Sequence, residues 1–107
     1  MFEVVKKNAR PDTNVEFFDT KKHVPNVSAE ITNYFSEKYI KTGKRISATK
    51  TLSDDNLIEY TTEIWDSKDS YLEYLCDSFF DDHIKPFAKE HITKYDIKLE
   101  IISAKEL

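Results

Sequence analysis

Histidine, tyrosine, cysteine and the acidic side chains are the groups in this chain that could do chemistry, and their spacing restricts what that chemistry is. His83 and His91 fall on one predicted helical stretch. Eight residues of helix span about 12 Å, too far for both rings to reach one metal ion at bond lengths of about 2 Å. Asp81-Asp82-His83 sets ligand types side by side, but neighbours on a helix point in different directions, so no metal site is expected. His83 is then the candidate general acid or base, or a polar anchor for a ligand. His23 falls in a loop and carries no such reading. Cys76 lies in the second helical region and reads as a small buried apolar residue rather than a nucleophile. With one glycine in the chain, a glycine-rich phosphate loop is excluded. Among 20 acidic residues no carboxylate pair stands out. No cofactor is expected.

The aromatic residues carry more. Tyr34, Phe35, Tyr39, Tyr60, Tyr71, Tyr74, Phe79 and Phe87 are expected to converge between helices and sheet, together with Phe80. Several are tyrosines, and a buried phenol needs a hydrogen-bond partner. An apolar cleft with a few polar tips is the usual form of a small-molecule site. These eight residues and His83 are the candidate ligand-binding set, suited to an elongated apolar molecule such as an acyl chain or to a flat aromatic one.

The elements that must position them can be read from periodicity. Leu57 to Trp65 alternates, with Ile58, Tyr60, Thr62 and Ile64 on one face and Leu57, Glu59, Thr61, Glu63 and Trp65 on the other, which predicts a strand. Tyr60 places the first face toward the helices. The second, with Ser47, Thr49, Thr51, Lys98, Glu100 and Ile102, becomes the sheet's other face. Asp66 or Ser67 can cap the helix that follows, in which Tyr71, Leu72, Leu75 and Phe79 take helical spacing. That region runs to about Lys94 and is expected to break into two pieces or kink, because Asp77-Ser78 can cap a new segment and Pro86 interrupts the ladder. Upstream, Ile31, Tyr34, Phe35 and Tyr39 form a helical stripe, capped by Asn26 or Ser28 and closed by Gly43 in a left-handed conformation. Arg45–Leu52 is the next strand, and Ser53-Asp54-Asp55-Asn56 turns it into Leu57–Trp65. Residues 96–104 form the last strand, with Ile97, Leu99 and Ile101 on one face. At the N-terminus, residues 2–7 and 15–18 are two extended pieces; the second is favoured as the strand that feeds the first helix. The order is β-α-β-β-α-β: an α+β, ferredoxin-like fold, with a four-stranded antiparallel sheet and two helices on one face.

Composition sets the outer limits. A chain of 107 residues is one domain, residues 1–107. A net charge of −4 and pI near 5.4 argue against nucleic acid as a partner, and no apolar run approaches the ~20 residues of a membrane span. Met1 to Lys7 lacks the apolar core of a signal peptide. A lone cysteine suits a reducing compartment, so a cytoplasmic protein is expected. Trp65 and Ile102 on the uncovered sheet face point to a homodimer with two sheets packed face to face.

Trp65-Asp66-Ser67-Lys68, followed by Tyr71, Leu75, Phe79 and Phe80 on a helix, resembles the dimeric α+β-barrel superfamily, from about Val15 onward. Its members include antibiotic-biosynthesis monooxygenases and haem-degrading monooxygenases. The haem-degrading branch implies an asparagine on the first strand, a tryptophan on the second helix and a histidine ten residues later. Asn8 fits the first, but Tyr74 stands in place of the tryptophan and Ile84 in place of the histidine, with His83 one residue earlier and rotated by about 100°. The cofactor-free oxygenases imply a reactive phenolic substrate held among Tyr, Trp, Asn and His side chains. Three functions fit: a binder of a small hydrophobic molecule, a cofactor-independent monooxygenase-like enzyme, and a structural or accessory dimer without ligand.

Overall fold

The computed structural model describes residues 1–24 and 28–107, so the expected cap at Asn26 lies outside the described residues. The elements are β1 (Phe2–Ala9), α1 (Thr20–His23), α2 (Ser28–Phe35) continued by a π-helical turn (Ser36–Ile40), β2 (Arg45–Leu52), β3 (Ile58–Trp65), α3 (Lys68–Leu75), α4 (Ser78–His83), α5 (Lys85–Lys94) and β4 (Lys98–Glu106). The sheet is antiparallel throughout, in the order β2-β3-β1-β4. This is the ferredoxin-like arrangement expected from the sequence.

Local side-chain chemistry sets most boundaries. Gly43 takes φ 78° after the π-helical turn, where a side chain would be strained. Ser67 caps α3 by accepting from the Ser70 amide at 3.1 Å, and Asp77 caps α4 by accepting from the Phe79 amide at 3.0 Å. The second helical region breaks into three pieces rather than two. Pro86 lacks an amide hydrogen and its ring would strike the Asp82 carbonyl, so α4 stops before Ile84 and α5 begins with Pro86 in its first turn. Cys76 falls at the C-cap of α3 and is exposed, not buried as its helical position suggested.

Two expectations about strands change. Residues 15–18 form no strand. β1 holds the sheet position beside both β3 and β4, and residues 15–18 cross to the helical side instead. Arg10 fastens them, donating to the Val15 carbonyl at 2.9 Å, to the Asn56 carbonyl at 2.9 and 2.6 Å, and lying 4.6 Å from the Phe17 ring centre.

The second change inverts β3. Thr61, Glu63 and Trp65 lie buried beneath the helices, whereas Ile58, Tyr60 and Ile64 share the opposite face. Register explains it. Phe2 and Val4 of β1 pair with Trp65 and Glu63, and Phe2 and Val4 are themselves buried. Three large apolar side chains on one face outweigh the polar Thr61 and Glu63 between them. They pack against Ile31 and Tyr39 of the first helix and its π-helical turn, and against Tyr71 and Phe80 of the second helical region. No helix among the described residues is long and apolar enough to cross a membrane.

Trp65 has no exposed surface and its ring lies 5.3–5.9 Å from those of Tyr39, Tyr71 and Tyr74. Trp65→Ala is expected to cost about 3–5 kcal/mol of folding free energy, read from the denaturant midpoint; an unchanged midpoint would contradict this packing.

Candidate functional site

Between the helices and the sheet lies a cleft of about 450 Å³. Its walls are apolar: Leu75 of α3, Ile84, Ala88 and Ile92 around α5, and Leu99 and Ile101 of β4. Its floor is polar. Lys6 and Asn8 of β1 and Thr61 and Glu63 of β3 point into it. Phe17, Phe18 and Thr20, in and just after the segment that crosses to the helical side, add to the lining, as do Lys50 of β2 and Glu59 of β3. A more open groove of about 710 Å³ outside α5 shares Ala88, Ile92 and Leu99 with the cleft.

The floor centres on Glu63. Its carboxylate lies 3.3 Å from the Lys6 ammonium and accepts from the Trp65 indole N–H at 3.3 Å. The ion pair is largely but not wholly buried, with 23% of the Lys6 side chain and 11% of the Glu63 side chain exposed. Lys6 also sits 5.9 Å from the centre of the Tyr71 ring. The Tyr71 hydroxyl is buried and has no hydrogen-bond partner among the described residues. Burial, and then the nearby Glu63 charge, raises the Tyr71 phenol above its ordinary value. The same two causes push Tyr74 up to about 12. Both phenols are therefore protonated at neutral pH and available as donors.

Beside the cleft stands a second polar centre. The Asp77 side chain is 3% exposed and accepts from the Tyr39 hydroxyl at 2.6 Å, the Tyr34 hydroxyl at 3.0 Å and the Lys38 ammonium at 3.0 Å. Burial alone would raise its carboxyl, but the hydrogen bonds from Tyr39, Lys38, the Phe79 amide and Tyr34 hold it below the usual value. Burial, and then Asp77, raises Tyr39; the hydrogen bonds to Tyr34 and Asp77 raise Lys38. Every polar group here has its partner, so this centre is a fastening.

The expected site residues divide among these places. Tyr71 and Tyr74 line the cleft. Tyr34, Phe35, Tyr39 and Phe79 form the aromatic cluster around Asp77, with Tyr34 stacked on Phe79 at 4.0 Å and Phe35 edge-on to Tyr74 at 5.5 Å. Tyr60 pairs with Lys7 and Thr51 on the sheet's far side. Phe87 is 38% exposed and outside the cleft lining. His83 also stands away from the cleft, donating from Nδ1 to the Phe79 carbonyl at 2.8 Å and stacked on the Phe79 ring at 4.3 Å. Lys6, Glu63 and Trp65 were absent from the expected set. The available signal was Glu63 two residues before Trp65, hence on one strand face. Among the described residues no group of three or more His, Cys, Asp or Glu side chains could hold a metal ion.

No family model matches the sequence, and no curated protein sequence matches it. Solved structures do match in shape. A dimeric ferredoxin-like protein from an uncultured marine organism superposes with a TM-score of 0.62 at 13% identity, covering 100% of this chain and 94% of that one. This chain shares the ferredoxin-like fold of that protein. An antibiotic biosynthesis monooxygenase-type structure from Deinococcus radiodurans gives 0.56 at 11% identity, covering 98% of this chain and 91% of that one. A monooxygenase from Streptomyces coelicolor, solved with the ligand nanaomycin D, gives 0.56 at 14% identity, covering 99% and 88%. The likeness expected from the Trp65-Asp66-Ser67-Lys68 corner therefore holds at the level of fold.

The Asp77 centre makes a pH prediction. A carboxyl whose folded value is depressed stabilises the fold above its unfolded value, and that contribution fades as pH falls through the folded one. Wild type is expected to lose thermal stability relative to Asp77→Asn between about pH 5 and pH 2. Parallel melting curves for the two proteins across that range would overturn the assignment.

Proposed function

We propose that this protein binds a small amphipathic molecule in the cleft between helices and sheet, and does so as a homodimer. The observation that carries the reading is the Tyr71 hydroxyl, buried without a partner beside a polar floor in a cavity with apolar walls. An unsatisfied buried donor costs about 1–3 kcal/mol. A guest with one polar end and an apolar body would satisfy Tyr71 and Lys6 at its head, once the flexible Lys6 stem moves aside. Its body would cover Leu75, Ile92 and Leu99, and a fatty-acyl or aromatic body would suit those walls.

Support for the dimer comes from the sheet's far side. Ile58, Tyr60 and Ile64 of β3 and Val5 of β1 lie there, with Thr62 opposite Val5, and Glu3 and Lys7 flank Val5 on the same strand face. A two-fold axis near Val5 would set Glu3 of one copy against Lys7 of its partner, as isologous contacts require. Similar folds are described as dimeric. The free, exposed Cys76 suits a reducing compartment such as the cytoplasm.

A second reading, oxygenation of the bound molecule without a cofactor, is favoured by the monooxygenases among the similar folds. Glu63, paired with Lys6 on the cleft floor, is then the group placed to accept a substrate proton. Oxygen uptake with a phenolic or quinol compound, abolished in Glu63→Gln, separates this reading from simple binding.

Anilinonaphthalene sulfonate, an apolar fluorophore with a polar end, is expected to fluoresce on binding wild type and to lose that signal in Ala88→Trp, which fills the cleft. Equal signals in both proteins would remove the cleft as the site. Sedimentation at micromolar concentration is expected to give a species of about 25 kDa, twice the 12.6 kDa chain, and Val5→Asp is expected to return it to monomer. A wild-type monomer would overturn the dimer.

A further inference from the structure

Two histidines outside the cleft carry a further inference. His23 closes α1 and His91 lies in α5, 68 residues apart in sequence, yet their ring centres are 4.2 Å apart. His91 is 8% exposed. Between them they hold the segment Glu16–Val24. His23 Nδ1 accepts from the Asp19 amide at 2.9 Å, which leaves the hydrogen on Nε2, facing the Glu16 carboxylate at 3.3 Å. His91 donates from Nε2 to the Glu16 main-chain carbonyl at 2.7 Å. The Phe18 ring sits 5.7 and 5.9 Å from the two imidazoles. The held segment includes Phe18 and Thr20, and with Phe17 these form part of the cleft lining.

We propose that the Glu16–Val24 segment is a strap over one side of the cleft, latched by the contacts of His23 and His91 and released when the pair is protonated, so that access to the cleft rises with acidity. The proposal rests on the cleft as a binding site.

Imidazole changes charge between pH 5 and 8, and protonation acts on the latch in two ways. A proton on His23 Nδ1 turns the acceptor of the Asp19 amide into a donor facing a donor. Protonation of both rings sets two cations 4.2 Å apart, one of them buried. Other charged groups surround the latch. Glu16 attracts a charged His23, but its side chain is 60% exposed and is shared with Lys22 at 3.8 Å, so solvent screens it. The Asp19 carboxylate is occupied in capping the Lys21 amide at 2.9 Å. At the end of α5, the C-cap Tyr95 lies 4.7 Å from His91 and Lys94 sits over the Tyr95 ring at 5.3 Å, which adds positive charge on that side. The balance favours release.

The test combines amide hydrogen exchange of residues 16–24, corrected for the intrinsic pH dependence, with the rate of entry of anilinonaphthalene sulfonate, in wild type, His23→Asn and His91→Gln. Asn offers an acceptor near the place of Nδ1 and Gln a donor near the place of Nε2, and neither takes up a proton. Lowering the pH from about 7.5 to about 5.5 should speed wild-type exchange in the strap about tenfold, the factor expected for one lost hydrogen bond, and should speed dye entry in parallel. His23→Asn should keep its slow strap exchange at the lower pH, and His91→Gln, which retains the His23–Asp19 contact but cannot form the second cation, should speed up less than wild type. Strap exchange that ignores pH in wild type, or that rises in His23→Asn as much as in wild type, overturns the latch. Strap exchange that rises with acid while the dye fails to bind at either pH leaves the latch standing and overturns the reading of the cleft as a binding site.

Discussion

The Asp77 carboxylate is the contact on which the helical layer depends. It ends the turn after α3 by capping α4, and it draws Tyr34, Lys38 and Tyr39 onto one point. Tyr34 and Tyr39 are five residues apart. In an α-helix that spacing leaves their side chains about 140° out of line, and they could not both reach one carboxylate. The π-helical turn Ser36–Ile40 carries more residues per turn and brings them together. A departure from regular helix is thus tied to one buried charge. Such a network fixes register more than it adds net stability, because the partners recover the desolvation of the ion rather than exceed it.

Where a boundary depends on its own side chains, it was legible in the sequence. Ser67, Asp77, Pro86 and Gly43 each act within a turn of where they stand, and the spans they delimit came out close to the observed ones. The stripe Ile31, Tyr34, Phe35 and Tyr39 was legible for the same reason. Where a choice depends on a distant strand, it was not. The alternation in β3 was plain, but which face meets the helices is decided across the ladder by Phe2 and Val4. Tyr60 was therefore placed on the wrong side of the sheet. Residues 15–18 failed similarly: their side chains suit a strand, but Arg10, Asn56 and His91 claim their surroundings.

The cleft was half visible. Tyr71 and Tyr74 are three residues apart on a helix whose apolar face was readable, and both reach it. Lys6 and Glu63 are not neighbours in any local pattern. They meet because an antiparallel register sets Lys6 opposite Thr61 and Val4 opposite Glu63, so that the long lysine reaches diagonally across the floor. Phe87 and His83 went the other way. Each suits a ligand site by type, but the break before α5 turns Phe87 outward and sets His83 against Phe79.

The cleft stays open because its two sides cannot pack on each other. Leu99 and Ile101 remain more than half exposed, at 59% and 54%, even though apolar Ile92 and Ala88 stand across the gap. Closing the gap would press those side chains onto the Lys6–Glu63 pair and strip its remaining water, a cost of several kcal/mol per ion. Apolar walls favour collapse and a charged floor opposes it. The strap of residues 16–24 covers part of this conflict without resolving it, since Phe17 and Phe18 add apolar surface and bring no partner for Tyr71. A molecule polar at one end and apolar along its body would meet both demands at once, which is why an amphipathic guest, rather than a wholly apolar or a wholly polar one, is the one proposed for this cavity.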